Sequence, residues 1–166
     1  RVDLQKPWQR LSVREAFDRF APLSVEASLR EDRFDEILAR DIEPMLGRGK
    51  PTFLCDYPAA LGALARTKKD DGRVAERFEI YLFGLEIANG FSELRDPEEQ
   101  RRRFEGDNRK RVSAGKDPFP LPEKFLESLR HLPDSAGIAL GVDRLAMIFC
   151  DASAIDEVVA FTPEEL

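Results

Sequence analysis

Two β-patterned segments stand end to end in the middle of this chain, and their adjacency restricts the fold more than any other feature. In Val74–Gly84, Phe78, Ile80 and Leu82 alternate with Glu79, Tyr81 and Phe83, the two-residue period of a strand. Leu85–Leu94 follows at once. Parallel neighbours need a crossover of a dozen or more residues, so strands this close pair antiparallel. Pro51–Tyr57 and the Gly-punctuated Ser135–Val142 read as further strands, and helical patterns fill the remainder. Strands grouped together rather than interleaved one by one with helices predict an α+β fold with an antiparallel sheet.

The helices carry clear end signals. Ser12-Val13-Arg14-Glu15 matches a capping box, and Pro22 stops the helix that follows. Phe34, Ile37, Leu38, Ile42 and Met45 repeat at helical spacing over Asp32–Leu46, with Gly47 as the stop. Ala59–Ala65 and Pro122–Leu132 read as short helices, and Val142–Cys150 as an amphipathic one. Asp96-Pro97-Glu98-Glu99 opens a long helix with an Asp N-cap, Pro at the first position and acids in the first turn. Along it Glu98–Arg102, Glu99–Arg103, Glu105–Arg109 and Asp107–Arg111 have i,i+4 spacing, which reads as a salt-laced, solvated face rather than a nucleic-acid patch.

The 166 residues suit one domain, and composition narrows the chemistry. One His and two Cys exclude a four-ligand structural zinc site and leave His131 as the sole imidazole. Cys55 and Cys150 read as buried core residues and His131 as a helix-end residue. Catalysis in such a chain rests on carboxylates, Arg, Lys and backbone. A net charge of −6 argues against general nucleic-acid binding. The longest apolar run, near Ile80–Leu85, falls far short of the roughly 20 residues that span a bilayer. A cytoplasmic protein with free thiols is the expectation.

Two segments have the means for chemistry. In Gly84–Leu94 the carboxylates Glu86 and Glu93 lie seven apart in an apolar setting. A straight strand sends them to opposite faces, whereas a two-residue turn at Asn89-Gly90 sets Glu86 opposite Glu93. Opposed like charges need a cation, a proton or solvent, and two such carboxylates make a hard site for Mg²⁺ carrying nucleotide phosphates. The other reading is an exposed hairpin with both glutamates in water. In Gly137-Ile138-Ala139-Leu140-Gly141-Val142-Asp143-Arg144-Leu145, a strand runs into a helix. Ala139 and Gly141 leave one strand face bare for a flat ligand, and Arg144 lies in the first helical turn, which favours an anion. The other reading is a glycine-eased turn with a snorkelling Arg.

Together these segments resemble a known family. Gly137–Leu145 resembles motif 3 of class II aminoacyl-tRNA synthetases. Glu76-Arg77-Phe78-Glu79, followed by Gly84-Leu85-Glu86-Ile87-Ala88-Asn89-Gly90-Phe91-Ser92-Glu93-Leu94, resembles the lysyl branch of that class. With Asp56-Tyr57-Pro58, Ala63–Arg66 and Asp107–Arg111, the likeness runs from about Pro7 to Phe161 and is closest to the elongation factor P–lysine ligase family. The resemblance implies a class II antiparallel sheet flanked by helices. It implies ATP with Mg²⁺, and lysine or (R)-β-lysine activated as an adenylate. Glu86 and Arg144 would be catalytic. Glu86, Ile87, Gly141 and Arg144 would bind ATP, Glu86 and Glu93 the metal, and Glu93, Ala139 and Asn89 the amino-acid substrate. Ala139 stands where lysyl-tRNA synthetases usually have Gly, which favours the ligase family and β-lysine.

No motif 1 or motif 2 is found, and the motif 2 Arg that grips the α-phosphate is missing with them. The expectation is that residues 1–166 are the C-terminal portion of a larger catalytic domain, inactive alone, whose full-length form can be a homodimer. The acceptor implied is elongation factor P. Two alternatives are a lysyl-tRNA synthetase charging tRNA(Lys) and a truncated, non-enzymatic paralogue.

Overall fold

The computed structural model describes residues 2–162. Five strands are hydrogen-bonded in the order β1 (Gln9–Ser12), β2 (Thr52–Pro58), β3 (Val74–Leu82), β4 (Leu85–Ser92) and β5 (Ala136–Leu140). The fold is mixed α+β, and the sheet is mostly antiparallel. It departs from the expected all-antiparallel sheet at one edge: β1 pairs parallel with β2, Gln9 opposite Thr52 through Ser12 opposite Cys55. The helical segments between these strands supply the long crossover that a parallel pair needs. The strand at β1 escaped detection because its four residues hold a single fully buried side chain, Leu11.

Contacts divide the chain into two units. The first holds the residues through Tyr57, then Phe78–Gly90, then those from Ile138 onward. Its helices are α1 (Val13–Phe20), α2 (Val25–Arg30), α3 (Phe34–Ile37) and α6 (Val142–Cys150). The capping box at α1 forms as read: Ser12 Oγ accepts from Glu15 N, and Glu15 accepts from Ser12 N. Such caps contribute about 0.5–2 kcal/mol each. The stretch expected as one helix over Asp32–Leu46 is broken. It is helical over Phe34–Ile37, winds as a π turn over Leu38–Ile42 and tightens to a 3₁₀ turn over Glu43–Met45. Pro44 lacks an N–H and cannot continue an α-helix ladder, which accounts for the change of winding. Phe17 stacks on Phe34 at 4.9 Å, and Ile37, Ile42 and Leu54 are fully buried.

β3 and β4 form a hairpin whose two-residue turn is Phe83-Gly84. Both residues have positive φ, 55° and 83°, as a type I′ turn requires. The expected turn at Asn89-Gly90 does not form; those residues lie inside β4, which runs unbroken from Leu85 to Ser92. Tertiary anchoring overrides the local Asn-Gly preference. Phe83 N and Gly84 N donate to the carbonyls of Gly47 and Leu46, which fixes the turn six residues earlier.

The second unit comprises Pro58–Arg77 and Phe91–Gly137. Arg66 organises it. Its guanidinium takes Glu76 at 2.8–2.9 Å and Asp134 at 2.6 Å, tying three loops. α4 (Pro97–Ser113) starts at the Asp96 cap, which accepts from Glu98 N and Glu99 N. Of the four expected i,i+4 pairs on α4, Glu99–Arg103 is present among the described residues. The other groups choose different partners. Glu98 faces Arg130, Arg101 pairs with Glu123, Asp107 with Lys110, and Arg111 lies 3.7 Å over the Phe119 ring. These cross-links fasten the connector and α5 (Glu123–Ser128) to α4, so its charged face is partly a packing face. Cys55 is buried as expected, whereas Cys150, at the end of α6, is exposed. No helix among the described residues is long and apolar enough to cross a membrane.

Gly47 supports the hairpin and tests the packing beneath it. Its φ is +68°, and a Cβ there would sit 2.5 Å from Tyr81 O and 2.7 Å from Leu82 Cα. Gly47→Ala is expected to cost about 3 kcal/mol or more, from left-handed strain plus a backbone clash. Gly49, with nothing within 4 Å of such a Cβ, serves as the control. Urea unfolding of the two variants is expected to show a large loss for the first and a change within about 0.5 kcal/mol for the second.

Candidate active site

The register set by the Phe83-Gly84 turn decides which β4 residues reach β5 and α6. Gly141 N donates to Ile87 O at 2.9 Å, clamping the end of β5 to β4. Arg144, in the first turn of α6, reaches across. Its Nη1 donates to Glu86 O at 2.8 Å and to Glu86 Oε2 at 3.1 Å. Between them lies a groove of about 220 Å³, lined by Glu86, Ile87, Asn89, Ala139, Gly141 and Arg144, with Ala88, Asp143 and Ile155 at its borders. Six residues from two sequence segments some fifty positions apart thus meet in one place.

The groove combines what a nucleotide needs. Gly141 presents backbone rather than side chain, although a Cβ there would meet Ile87 O at an ordinary 3.6 Å. Glycine therefore keeps the floor low and is not demanded by a clash. Arg144 is half exposed, so its guanidinium is accessible to an anion while Glu86 orients it.

The donor set also bears on Mg²⁺. No cluster of three or more His, Cys, Asp or Glu side chains suited to a metal occurs among the described residues. A fully protein-caged ion is not supported. Mg²⁺ commonly takes one or two carboxylates and completes its shell with water and phosphate oxygens, and Glu86 fits that demand.

Glu93 belongs to the second unit. Without the Asn89-Gly90 turn, the hairpin pairing of Glu86 with Glu93 does not form. Glu93 N donates to Ser135 O, and Glu93 bridges Ala65. Its carboxylate lies over Gly137, where a Cβ would come within 3.2 Å of Oε1.

Sequence reasoning missed the groups behind the groove. Glu79, only 5% exposed, accepts from Tyr57 OH at 2.5 Å and Tyr81 OH at 2.6 Å through Oε2, and from Asn89 Nδ2 at 3.0 Å through Oε1. Burial, then the charges of its neighbours, drives the Tyr81 phenol far above its ordinary value, so it keeps its proton. Glu43 lies on the same network, 3.2 Å from Tyr81 OH. Burial raises its pKa first, with the charges of Glu79 and Glu86 adding, against lowering by Tyr81 and Arg144. The available signal was a glutamate in a strand whose neighbours on both sides are large and apolar: a buried carboxylate demands donors.

The family model for class II tRNA synthetases (D, K and N) matches residues 1–165. Among curated proteins, the chain is 48% identical over 144 residues to an elongation factor P–(R)-β-lysine ligase of Edwardsiella ictaluri, covering 84% of this chain and 44% of that protein. The ligase of the same name from Salmonella gallinarum is 46% identical over 154 residues, covering 90% and 47%. The chain thus spans about half the length of these relatives.

The Glu86–Arg144 pair joins two partly exposed groups, and such pairs contribute roughly 0–1 kcal/mol. Arg144→Ala is therefore expected to shift the urea midpoint little, keeping stability within about 1 kcal/mol of the parent. A larger loss would mean that the pair holds the groove together rather than lining it.

Proposed function

We propose, from the premise that this chain belongs to the class II tRNA synthetase family (D, K and N), that it is the C-terminal portion of a ligase catalytic domain. In this reading the whole protein uses ATP to activate lysine or (R)-β-lysine as an adenylate, then transfers the aminoacyl group to a lysine of elongation factor P. The observation that carries it is the groove, where Glu86, Ile87, Gly141 and Arg144 come together around an exposed guanidinium. The printed function of the relatives supports the choice of substrate and acceptor. The proposed location is cytoplasmic.

The chemistry follows from the residues present. In the first step the amino-acid carboxylate oxygen attacks the α-phosphorus, and the bond to the β-phosphate bridging oxygen breaks. Pyrophosphate leaves with the charge that develops on it. Arg144 is assigned to the terminal phosphates, where a fixed guanidinium stabilises that charge. Gly141 and the Ile87 backbone form the floor on which the nucleotide lies. Mg²⁺, when bound, offsets the phosphate charge. Glu86 is the residue of this groove proposed to hold it, in addition to orienting Arg144. Asn89 and Ala139 are proposed to contact the amino acid, Ala139 by narrowing the space near the β5 backbone. For Glu93 the proposal, a contact to the metal or to the substrate's ammonium, rests on the sequence motif. In the second step the acceptor lysine amine attacks the adenylate carbonyl and AMP departs. Nothing in the groove provides a general base for that amine, so the acceptor must present it deprotonated or lose the proton to solvent.

Two measurements test the reading. The protein in its longest encoded form, with ATP, Mg²⁺ and (R)-β-lysine, is expected to add one β-lysyl group to elongation factor P, read by intact-mass spectrometry. Aminoacylated tRNA(Lys) with unmodified elongation factor P would select the synthetase reading instead. Arg144→Ala in the same protein is expected to slow ATP–pyrophosphate exchange about 10²-fold or more, the scale for losing a fixed charge-stabilising donor. An unchanged rate would remove Arg144 from the reaction.

A further inference from the structure

Tyr81 OH stands between two carboxylates, 2.6 Å from Glu79 Oε2 and 3.2 Å from Glu43 Oε1, yet a phenol has one hydrogen. Both contacts are satisfied only if a second proton is present. Its location follows from the other bonds. Glu79 accepts from Tyr57 OH on Oε2 and from Asn89 Nδ2 on Oε1, so every contact to Glu79 comes from a donor and Glu79 is the ionised partner. Tyr81 then gives its hydrogen to Glu79, the shorter contact, and its oxygen is left to accept. We propose that Glu43 is a positioning residue: a protonated carboxylic acid that donates to Tyr81 and, through Tyr81 and Glu79, fixes the Asn89 amide in the groove.

Electrostatics around Glu43 agree with that placement. The ionised Glu79 on β3 and Glu86 on β4 both disfavour a third negative charge, and partial burial removes compensating water. Arg144 on α6 and the Tyr81 hydroxyl act the other way and are outweighed. A buried chain of this kind polarises along its length, so losing the first proton weakens each later bond. At its end the Asn89 amide has its Nδ2 committed to Glu79, and among the described residues no protein donor is bonded to its Oδ1. That oxygen is the acceptor Asn89 can offer. Its use for a substrate ammonium rests on the function proposed above; the proton and the amide orientation do not.

Linkage gives the sign of the pH effect. The folded state holds the Glu43 proton more tightly than the unfolded chain does. Stability from this source is full below the ordinary value of 4.5 and is lost as pH rises through the higher folded value. Glu43→Gln replaces the acid by a permanent donor of the same shape and is expected to flatten that dependence. Glu43→Ala removes the donor.

The test is NMR on the 166-residue chain, with no nucleotide, amino acid or acceptor present, so its outcome is separable from that of the ligase reading. The Glu43 carboxyl carbon is expected to titrate above 4.5, with the Asn89 side-chain amide protons shifting at the same midpoint. In Glu43→Gln the Asn89 amide is expected to hold its low-pH position throughout. In Glu43→Ala, with the backbone spectrum otherwise retained, Asn89 amide exchange is expected to rise about tenfold, the loss of roughly one hydrogen bond. Titration of Glu43 in the ordinary carboxylate range overturns the shared proton. An Asn89 amide indifferent to both variants overturns the positioning role.

Discussion

The turn at Phe83-Gly84 is the constraint on which the site depends. Both residues adopt left-handed φ, and a Cβ on Gly84 would lie 3.2 Å from Glu43 O and Pro44 Cα. That close approach packs the hairpin tip against the segment bearing Glu43 and sets the register of β4. Strand alternation then fixes every later position. Ile87 O meets Gly141 N, Glu86 meets Arg144, and Asn89 meets Glu79. A turn moved five residues on, to Asn89-Gly90, would remove each of these contacts.

Burying Glu79 imposes the second constraint. A carboxylate that deep in a strand is costly unless donors surround it. Tyr57 from β2, Tyr81 from the same strand and Asn89 from β4 meet that cost, and one of the three also lines the groove. The structural requirement and the functional one are therefore joined at Asn89. The first unit positions its groove with hydrogen bonds to buried charge more than with shape.

Much of this was legible in the chain itself. End signals placed α1, α4 and α6, because caps are local and each contains its own donor and acceptor. Glu86 and Arg144 were identifiable as candidates because a strand-to-helix junction with small residues and an Arg has little other use. The hairpin turn was not legible. Asn-Gly is the stronger local signal, and only the distant carbonyls of Leu46 and Gly47 select Phe83-Gly84 instead. The α4 ion pairs failed for the same reason: spacing proposes partners on one helix, and Glu123, Arg130 and Phe119 compete from outside it. The parallel β1–β2 pair was hidden by brevity. The role of Tyr57 and Tyr81 was hidden because a phenol's value to a buried carboxylate depends on which strands are neighbours.

The central claim is that the Glu86–Arg144 groove is where a nucleotide binds. Titrating the ¹⁵N-labelled chain with Mg-ATP tests it directly. The account predicts saturable shifts centred on the backbone amides of Ile87, Gly141 and Arg144, abolished in Arg144→Ala. Shifts centred instead on the arginines of α4, or unchanged by loss of Arg144, would contradict it.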